Sequence, residues 1–177
     1  MMCIYNSAWS WLSNNASNVI ALCAFGATFW QAHLSRAHNK LSVKPYLTTW
    51  TINAGNEGFY SLKVINNGVG PALIKTFEMY ADDKKILGQP LELIDNALAI
   101  LFPKYAVSVV DNSYLSHGYM MAPKDEHYLF KIQFLGPTFP TQAEIEFAQT
   151  RFKIVINYES IYKEIFVYDS SKFEVLN

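Results

Sequence analysis

Residues 19–30 read VIALCAFGATFW, with no charged side chain before them and a burst of positive charge after them. The first basic side chain is His33, followed by Arg36, His38, Lys40 and Lys44. An uncharged flank before an apolar helix and a basic flank after it is the asymmetry of a single membrane-crossing helix whose C-terminal side faces the cytoplasm. The strictly apolar core is short. Extended to residues 17–34 it reaches 18 residues, enough for about 27 Å of hydrocarbon at the helical rise. The extension places Asn18, Thr28, Gln31 and His33 near or inside the bilayer, while Trp9, Trp11 and Trp30 supply aromatic belts at headgroup level. A cleaved signal peptide fits less well, because a basic n-region and a small-x-small site are both missing. A helix packed on the rest of the chain is the other alternative.

One side of this helix carries small and polar residues. Ser17, Ala21, Ala24, Thr28 and Gln31, continuing to Ser35, recur at steps of four and three and fall on one stripe. Such a stripe allows close helix approach in lipid, and a glutamine can hydrogen-bond across the contact. Val19, Leu22, Phe25 and Phe29 occupy the opposite side and suit acyl chains. The expectation is self-association into a homo-oligomer through this helix, with Arg36, Lys40 and Lys44 as its basic juxtamembrane stretch.

After this segment the composition is that of a folded domain. Apolar residues make up 51% of the chain and charged ones 16%, and the net charge of −1 leaves no electrostatic footprint for nucleic acid. Both cysteines, Cys3 and Cys23, lie in the N-terminal segment, so neither can staple the remainder, as expected of a cytoplasmic domain. The organisation expected is an N-terminal segment over 1–41 and a β-domain over 42–177.

The second segment alternates as strands do. Residues 42–53 are rich in Thr and aromatics, and 59–65 put Tyr60, Leu62 and Val64 on one side. The run Asn66-Asn67-Gly68-Val69-Gly70-Pro71 reads as a turn where positive φ is cheap. Further strands are expected over 72–80, 84–87, 107–110, 128–134, 152–158 and 164–168. Helices are expected over 90–101 and, after a capping box from Thr141 to Glu144, over 141–151. The fold class is mainly β, an immunoglobulin-like β-sandwich of about seven or eight strands with one or two inserted helices. Pro45, Tyr46 and Trp50 read as strand-edge and core residues.

The run from His38 to Leu47, HNKLSVKPYL, directly follows the hydrophobic helix. With the run from Asn66 to Ala72, and with Asn157 to Tyr162 and Phe166, it resembles a group of small, uncharacterised bacterial proteins. These have one N-terminal membrane helix and a β-sandwich-like domain. The resemblance spans nearly the whole chain and attaches no activity to any residue. Such proteins are often met in mobile elements, so the resemblance implies an accessory role such as antiviral defence.

The search for chemistry is nearly empty. His33 and His38 lie beside the helix, and His117 and His127 stand ten apart without zinc-site spacing, so no metal or other cofactor is expected. Ser116-His117-Gly118 and Asp125-Glu126-His127 hold groups for acid–base work, but at a spacing any chain of this length contains. No catalytic residue is assigned and an enzyme is the least favoured class. One region keeps recognition chemistry: Tyr114, His117, Tyr119, Met121, Lys124 and His127 fall in one long connection and the strand after it. They form the candidate surface for an unknown protein or small ligand.

Three readings follow. The first is a membrane-tethered, non-enzymatic binding or sensor module, single-pass in the inner membrane with its β-domain in the cytoplasm. The second is a membrane-perturbing effector whose helices oligomerise when the β-domain senses a signal. The third is a soluble interaction protein.

Overall fold

The computed structural model describes residues 11, 14–54 and 58–172. Trp9 and Cys3 lie outside the described residues. The chain divides into two compact units, Met1–Ser42 and Val43–Asn177.

The first unit contains helix α1 (Ala16–Ser42), of 27 residues, none of them buried. Its large apolar side chains are displayed rather than packed: Leu22 is 72%, Phe25 73% and Phe29 72% exposed. At the helical rise α1 measures roughly 40 Å, so length does not limit it. Polarity does, since Asn18, Thr28, Gln31 and His33 interrupt the apolar run. Among the described residues no helix is both long and apolar enough to cross a membrane, which goes against the expected crossing over 17–34. Thr28 Oγ1 donates to the Ala24 carbonyl at 2.8 Å, so this hydroxyl is satisfied within the helix itself.

The second unit is mainly β, with two antiparallel sheets. One sheet has the order β1 (Leu47–Ala54), β2 (Phe59–Asn66), β7 (Glu126–Leu135), β5 (Ala106–Asn112). The other runs β4 (Lys84–Lys85), β3 (Ala72–Ala81), β8 (Phe152–Glu159), β9 (Ile165–Asp169), with β6 (Met120–Met121) on the far end of β3. Two helices are inserted, α2 (Pro90–Leu101) and α3 (Gln142–Arg151). The two-residue β6 escapes a sequence reading because no period can show in so short a strand.

Alternation sets the sheets' inner faces. Tyr60, Leu62 and Val64 of β2 turn inward, and Ile132 and Phe134 of β7 join them. From the opposite sheet come Ile74, Phe77 and Met79 of β3 and Ile154, Ile156 and Tyr158 of β8. The Phe130 ring bridges the layers, 5.8 Å from Tyr60 and 6.0 Å from Phe152. Helix α2 starts at a proline, where the missing N–H is no loss, and Gln89 N donates to Glu92 Oε2 at 3.0 Å. It buries Ile94, Ala97, Leu98 and Leu101, the 3.6-residue stripe expected. Helix α3 is capped as its sequence suggests, with Glu144 N donating to Thr141 Oγ1 at 3.3 Å and Thr141 N to Glu144 Oε2 at 2.9 Å.

The junction between β2 and β3 is organised by Asn66, which is fully buried. Its Oδ1 accepts from Tyr46 N at 3.2 Å and Gly68 N at 3.1 Å. Its Nδ2 faces the carbonyls of Gly70 at 2.8 Å, Ala122 at 3.1 Å and Met121 at 3.2 Å. The glycines beside it serve a different purpose from the one their sequence suggests. Neither Gly68 nor Gly70 has a positive φ. They are needed for close approach: a Cβ on Gly70 would stand 1.6 Å from the Val43 carbonyl oxygen, and one on Gly68 2.4 Å from Tyr46 N. The loop therefore lies directly against the segment leading into β1, and Val69 N donates to the Lys44 carbonyl at 3.1 Å.

Two outcomes test this account. Asn66→Ala strips one amide from several buried partners and is expected to cost about 3 kcal/mol; Gly70→Ala is expected to destabilise at least as much, both read by urea denaturation. The second concerns acid. Glu78 is held below the usual carboxylate range by the hydrogen bond from Lys85 and then that from Tyr80. Glu144 is held down by the Thr141 backbone N–H and then by Tyr105. A depressed carboxylate stabilises the fold above its ordinary pKa, and that contribution is lost as pH falls through and below that range. The double variant Glu78→Gln/Glu144→Gln should accordingly show a shallower fall in Tm between neutral and acid pH than the wild type.

Candidate functional site

One sizeable cavity of the β-domain is not where the sequence directs attention. It is a crevice of about 550 Å³ opening between β1 of one sheet and β8 and β9 of the other, within the size range of small-ligand sites. Its walls include Thr49, Thr51, Tyr60, Gln149, Phe152 and Tyr168, and every residue lining it is uncharged.

The crevice exists because β1 changes character along its length. Leu47 is the inward residue at the start of the strand and is 1% exposed. The next inward positions, by the period of two, are Thr49, Thr51 and Asn53. Short polar side chains stand where a core strand would carry large apolar ones, so the sheets cannot close there. Thr49 Oγ1 and Tyr168 Oη lie 2.6 Å apart across the gap, and Asn67 Nδ2 donates to Thr48 Oγ1 at 2.7 Å on the other side of the strand. Burial pushes the Tyr60 phenol up, against the lowering by its hydrogen bonds with Gln149 and Thr51. Burial likewise raises Tyr168, opposed by Thr49. Both phenols therefore stay neutral through physiological pH and work as hydroxyls that donate and accept.

Of the residues singled out in the sequence, three come together. Tyr114, Tyr119 and His127, with Ser113 and Leu115, line a separate pocket of about 280 Å³. Tyr119 Oη lies 2.6 Å from His127 Nε2, which is 3.2 Å from Asp125 Oδ2. The Tyr119 and His127 rings meet edge to face, centroids 5.2 Å apart. Burial first, then the Asp125 carboxylate, raises the Tyr119 phenol. His117 lies outside that pocket and lines another, of about 300 Å³, together with Tyr114. Its Nδ1 faces the Lys75 carbonyl at 2.8 Å, and Lys75 is the residue bulged out of the β3–β8 register. The imidazole thus satisfies a carbonyl that the ladder leaves over.

Met121 is fully buried and pairs with Ala72, so it belongs to the core and offers no surface. Lys124 adopts a positive φ of 67° in the turn before β7, where its N–H donates to the Asn66 carbonyl at 2.9 Å; its Nζ reaches the Asn67 carbonyl at 3.3 Å. Trp50 also departs from expectation. It occupies an outward position of β1 and is 60% exposed, so it is not a core residue.

The N-terminal residues are all on α1 except one. Ser17, Ala21, Ala24, Thr28 and Gln31 are exposed along its length, as are Arg36 and Lys40. Lys44 lies beyond the helix, with Nζ 5.4 Å from the centroid of the Phe166 ring.

Among the described residues no group of three or more His, Cys, Asp or Glu could hold a metal ion. The crevice carries hydroxyls and amides without a neighbouring base, an arrangement suited to hydrogen-bonded recognition. No family model matches the chain, and no curated protein or solved structure does either. The sequence signal for the crevice was present: the inward set Leu47, Thr49, Thr51, Asn53 turns polar after one residue. Tyr168→Phe removes the hydroxyl that spans the gap and is expected to cost about 1 kcal/mol in urea denaturation, with no change in the denaturant slope.

Proposed function

We propose that this chain is a non-enzymatic binding module held at a bilayer by α1, with its β-domain on the cytoplasmic side of an inner membrane. The observation that carries the reading is the undisguised apolar surface of α1. Ile20, Leu22, Phe25, Phe29 and Trp30 are all exposed on a helix that buries no residue, and a surface of that kind marks a contact site. At about 2 kcal/mol for each large apolar side chain removed from water, lipid contact through them is worth on the order of 10 kcal/mol. Arg36 and Lys40 stand at the end that would meet anionic headgroups. The internal bond of Thr28 fits an apolar surrounding. The reading requires attachment through the apolar side chains; it does not require the helix to cross.

For the β-domain, the strand orders support an immunoglobulin-like sandwich. Taken as strands A, B, E and D, the series β1, β2, β7, β5 has the order of one sheet of that fold. The series β3, β8, β9 then stands for C, F and G of the other, with β4 added outside β3. Rigid sandwiches place recognition at their edges and loops, and the crevice is an uncharged recess without an acid–base pair. Self-association is the second half of the proposal: Ser17, Ala21, Ala24, Thr28 and Gln31 fall on one stripe, turned away from Leu22 and Phe29, and are the residues through which copies would meet.

Flotation of the full chain with vesicles tests the reading. The wild type should rise with vesicles, and Phe25→Lys/Phe29→Lys should lower the bound fraction at least tenfold. Arg36→Glu/Lys40→Glu should weaken binding to anionic vesicles more than to zwitterionic ones. A wild type left at the bottom of the gradient, or a Phe25/Phe29 variant that floats equally well, would sink the proposal.

A further inference from the structure

Beside the smaller pocket, three donor atoms converge with too few hydrogens among them. Tyr119 Oη lies 2.6 Å from His127 Nε2 and 3.4 Å from Asp125 Oδ2, and the latter two stand 3.2 Å apart. The phenol brings one hydrogen, the imidazole nitrogen at most one, and the carboxylate none. A hydrogen directed along one edge of so small a triangle is badly aimed for the other edges. Two hydrogens cannot serve three edges, so one pair always meets lone pair to lone pair. A cation among them removes the conflict, because all three atoms can then offer a lone pair to one centre.

The backbone holds this triangle in place. Tyr119 is tied to β3 by its carbonyl, which accepts from Ile74 N at 2.8 Å, and its own N–H donates to the Ser116 carbonyl at 3.1 Å. Asp125 N donates to the Ala122 carbonyl at 3.1 Å, and the Asp125 carbonyl accepts from Asn66 N at 3.0 Å. His127 stands opposite Val64 in the β2–β7 ladder. Among the described residues the ion-pair partner of Asp125 is His127. The neighbouring Lys124 sends its ammonium to the Asn67 carbonyl instead, so it does not compete for the carboxylate. The His127 and Asp125 side chains are 26% and 35% exposed, which leaves an ion a way in.

We propose that Tyr119, Asp125 and His127 bind a divalent transition ion of the zinc class. Donors held by zinc at about 2.0–2.2 Å stand roughly 3–3.5 Å from one another, and two of the three distances already lie in that range. The third widens by roughly half an ångström as the hydrogen bond between Tyr119 and His127 gives way to the ion. On binding, the phenol gives its proton to solvent and Oη bonds to the metal, with no change of oxidation state. Phenolate and carboxylate then carry two negative charges beside a neutral imidazole, which matches a divalent ion. The imidazole nitrogen favours zinc or copper over magnesium and calcium, which take oxygen donors. Because the third donor is a phenol, the site falls outside the His, Cys, Asp and Glu groups excluded above. Three protein donors leave one position open. Tyr119 and His127 line the pocket of about 280 Å³, so that position faces a recess able to admit water or a small oxygen donor.

The test titrates zinc into the full chain in neutral detergent, in a Cys3→Ser/Cys23→Ser/His33→Gln/His38→Gln parent that lacks the donors of the N-terminal segment. Calorimetry is expected to show one zinc per chain. An ultraviolet phenolate band should appear with it at neutral pH. Burial and then the Asp125 carboxylate hold the Tyr119 phenol protonated without the ion, so the band reports coordination. Tyr119→Phe should abolish the band. Tyr119→Phe, Asp125→Asn and His127→Gln should each weaken zinc at least about tenfold. His117→Gln should change neither readout, and magnesium should produce neither. Near-UV circular dichroism verifies that each variant is folded; where one is not, the stoichiometry and band of the parent against Tyr119→Phe decide. Absence of stoichiometric zinc, zinc bound without the phenolate band, equal affinity in the folded variants, or loss of binding in His117→Gln overturns the proposal. The site lies within the β-domain, so vesicle flotation of the same samples reports on α1 separately and the two readings fail independently.

Discussion

Everything in the β-domain depends on one buried carboxamide. Asn66 ends β2, and its side chain joins three backbone segments that would otherwise have no common partner: the lead into β1, the glycine loop, and the turn between β6 and β7. Backbone polar groups brought this deep must be paired, and no apolar residue of similar size could pair them. The two glycines make the arrangement possible, since side chains there would collide with the Val43–Tyr46 backbone. The hydrophobic pattern alone would bring the sheets together; the carboxamide fixes where the first strand enters.

That fixed start explains the shape of the crevice. Because β1 is pinned at Tyr46 and Leu47, its inward positions are determined from there on, and they are Thr49, Thr51 and Asn53. A threonine fills less of the inter-sheet space than a leucine or phenylalanine, and its hydroxyl needs a partner. Tyr168 supplies one from the opposite sheet at 2.6 Å. The result is a sheet pair closed by Leu47 at the start of β1, opened into the crevice along Thr48 to Thr51, and held again where Asn53 Nδ2 reaches Gln142 of α3. The uncharged recess is therefore a consequence of the polar strand.

Much of this architecture was legible in the sequence. Helix α2 shows its limits plainly, from a proline at the first turn to an apolar stripe that ends before Pro103, and α3 carries its capping box in the letters. The alternation of Tyr60, Leu62 and Val64 marks an inner face without ambiguity. Other features depend on contacts that no local pattern encodes. Asn66 looks like an ordinary turn residue, because its partners lie up to 56 positions away. The glycines suggest positive φ, yet what they provide is space. Met121 reads as a recognition residue because methionine is common at interfaces, but pairing with Ala72 buries it. Trp50 reads as core on hydrophobicity, but it falls on the outward side of a strand whose register was set elsewhere. The cluster of Tyr119 and His127 was found from composition, whereas His117, ten residues before His127, was drawn to a bulged carbonyl of β3.

The central claim is that the apolar side of α1 is covered by lipid, and Cys23 is placed to report on it. The thiol is exposed on the helix, one turn from Val19 and two from Trp30. The direct measurement is the rate at which a water-soluble maleimide modifies Cys23 in a Cys3→Ser chain, with and without vesicles. The account predicts rapid labelling in dilute aqueous solution, strong protection when vesicles are added, and full labelling once detergent dissolves them. Labelling at the same rate with and without vesicles would contradict it and leave the apolar side of α1 to a protein partner.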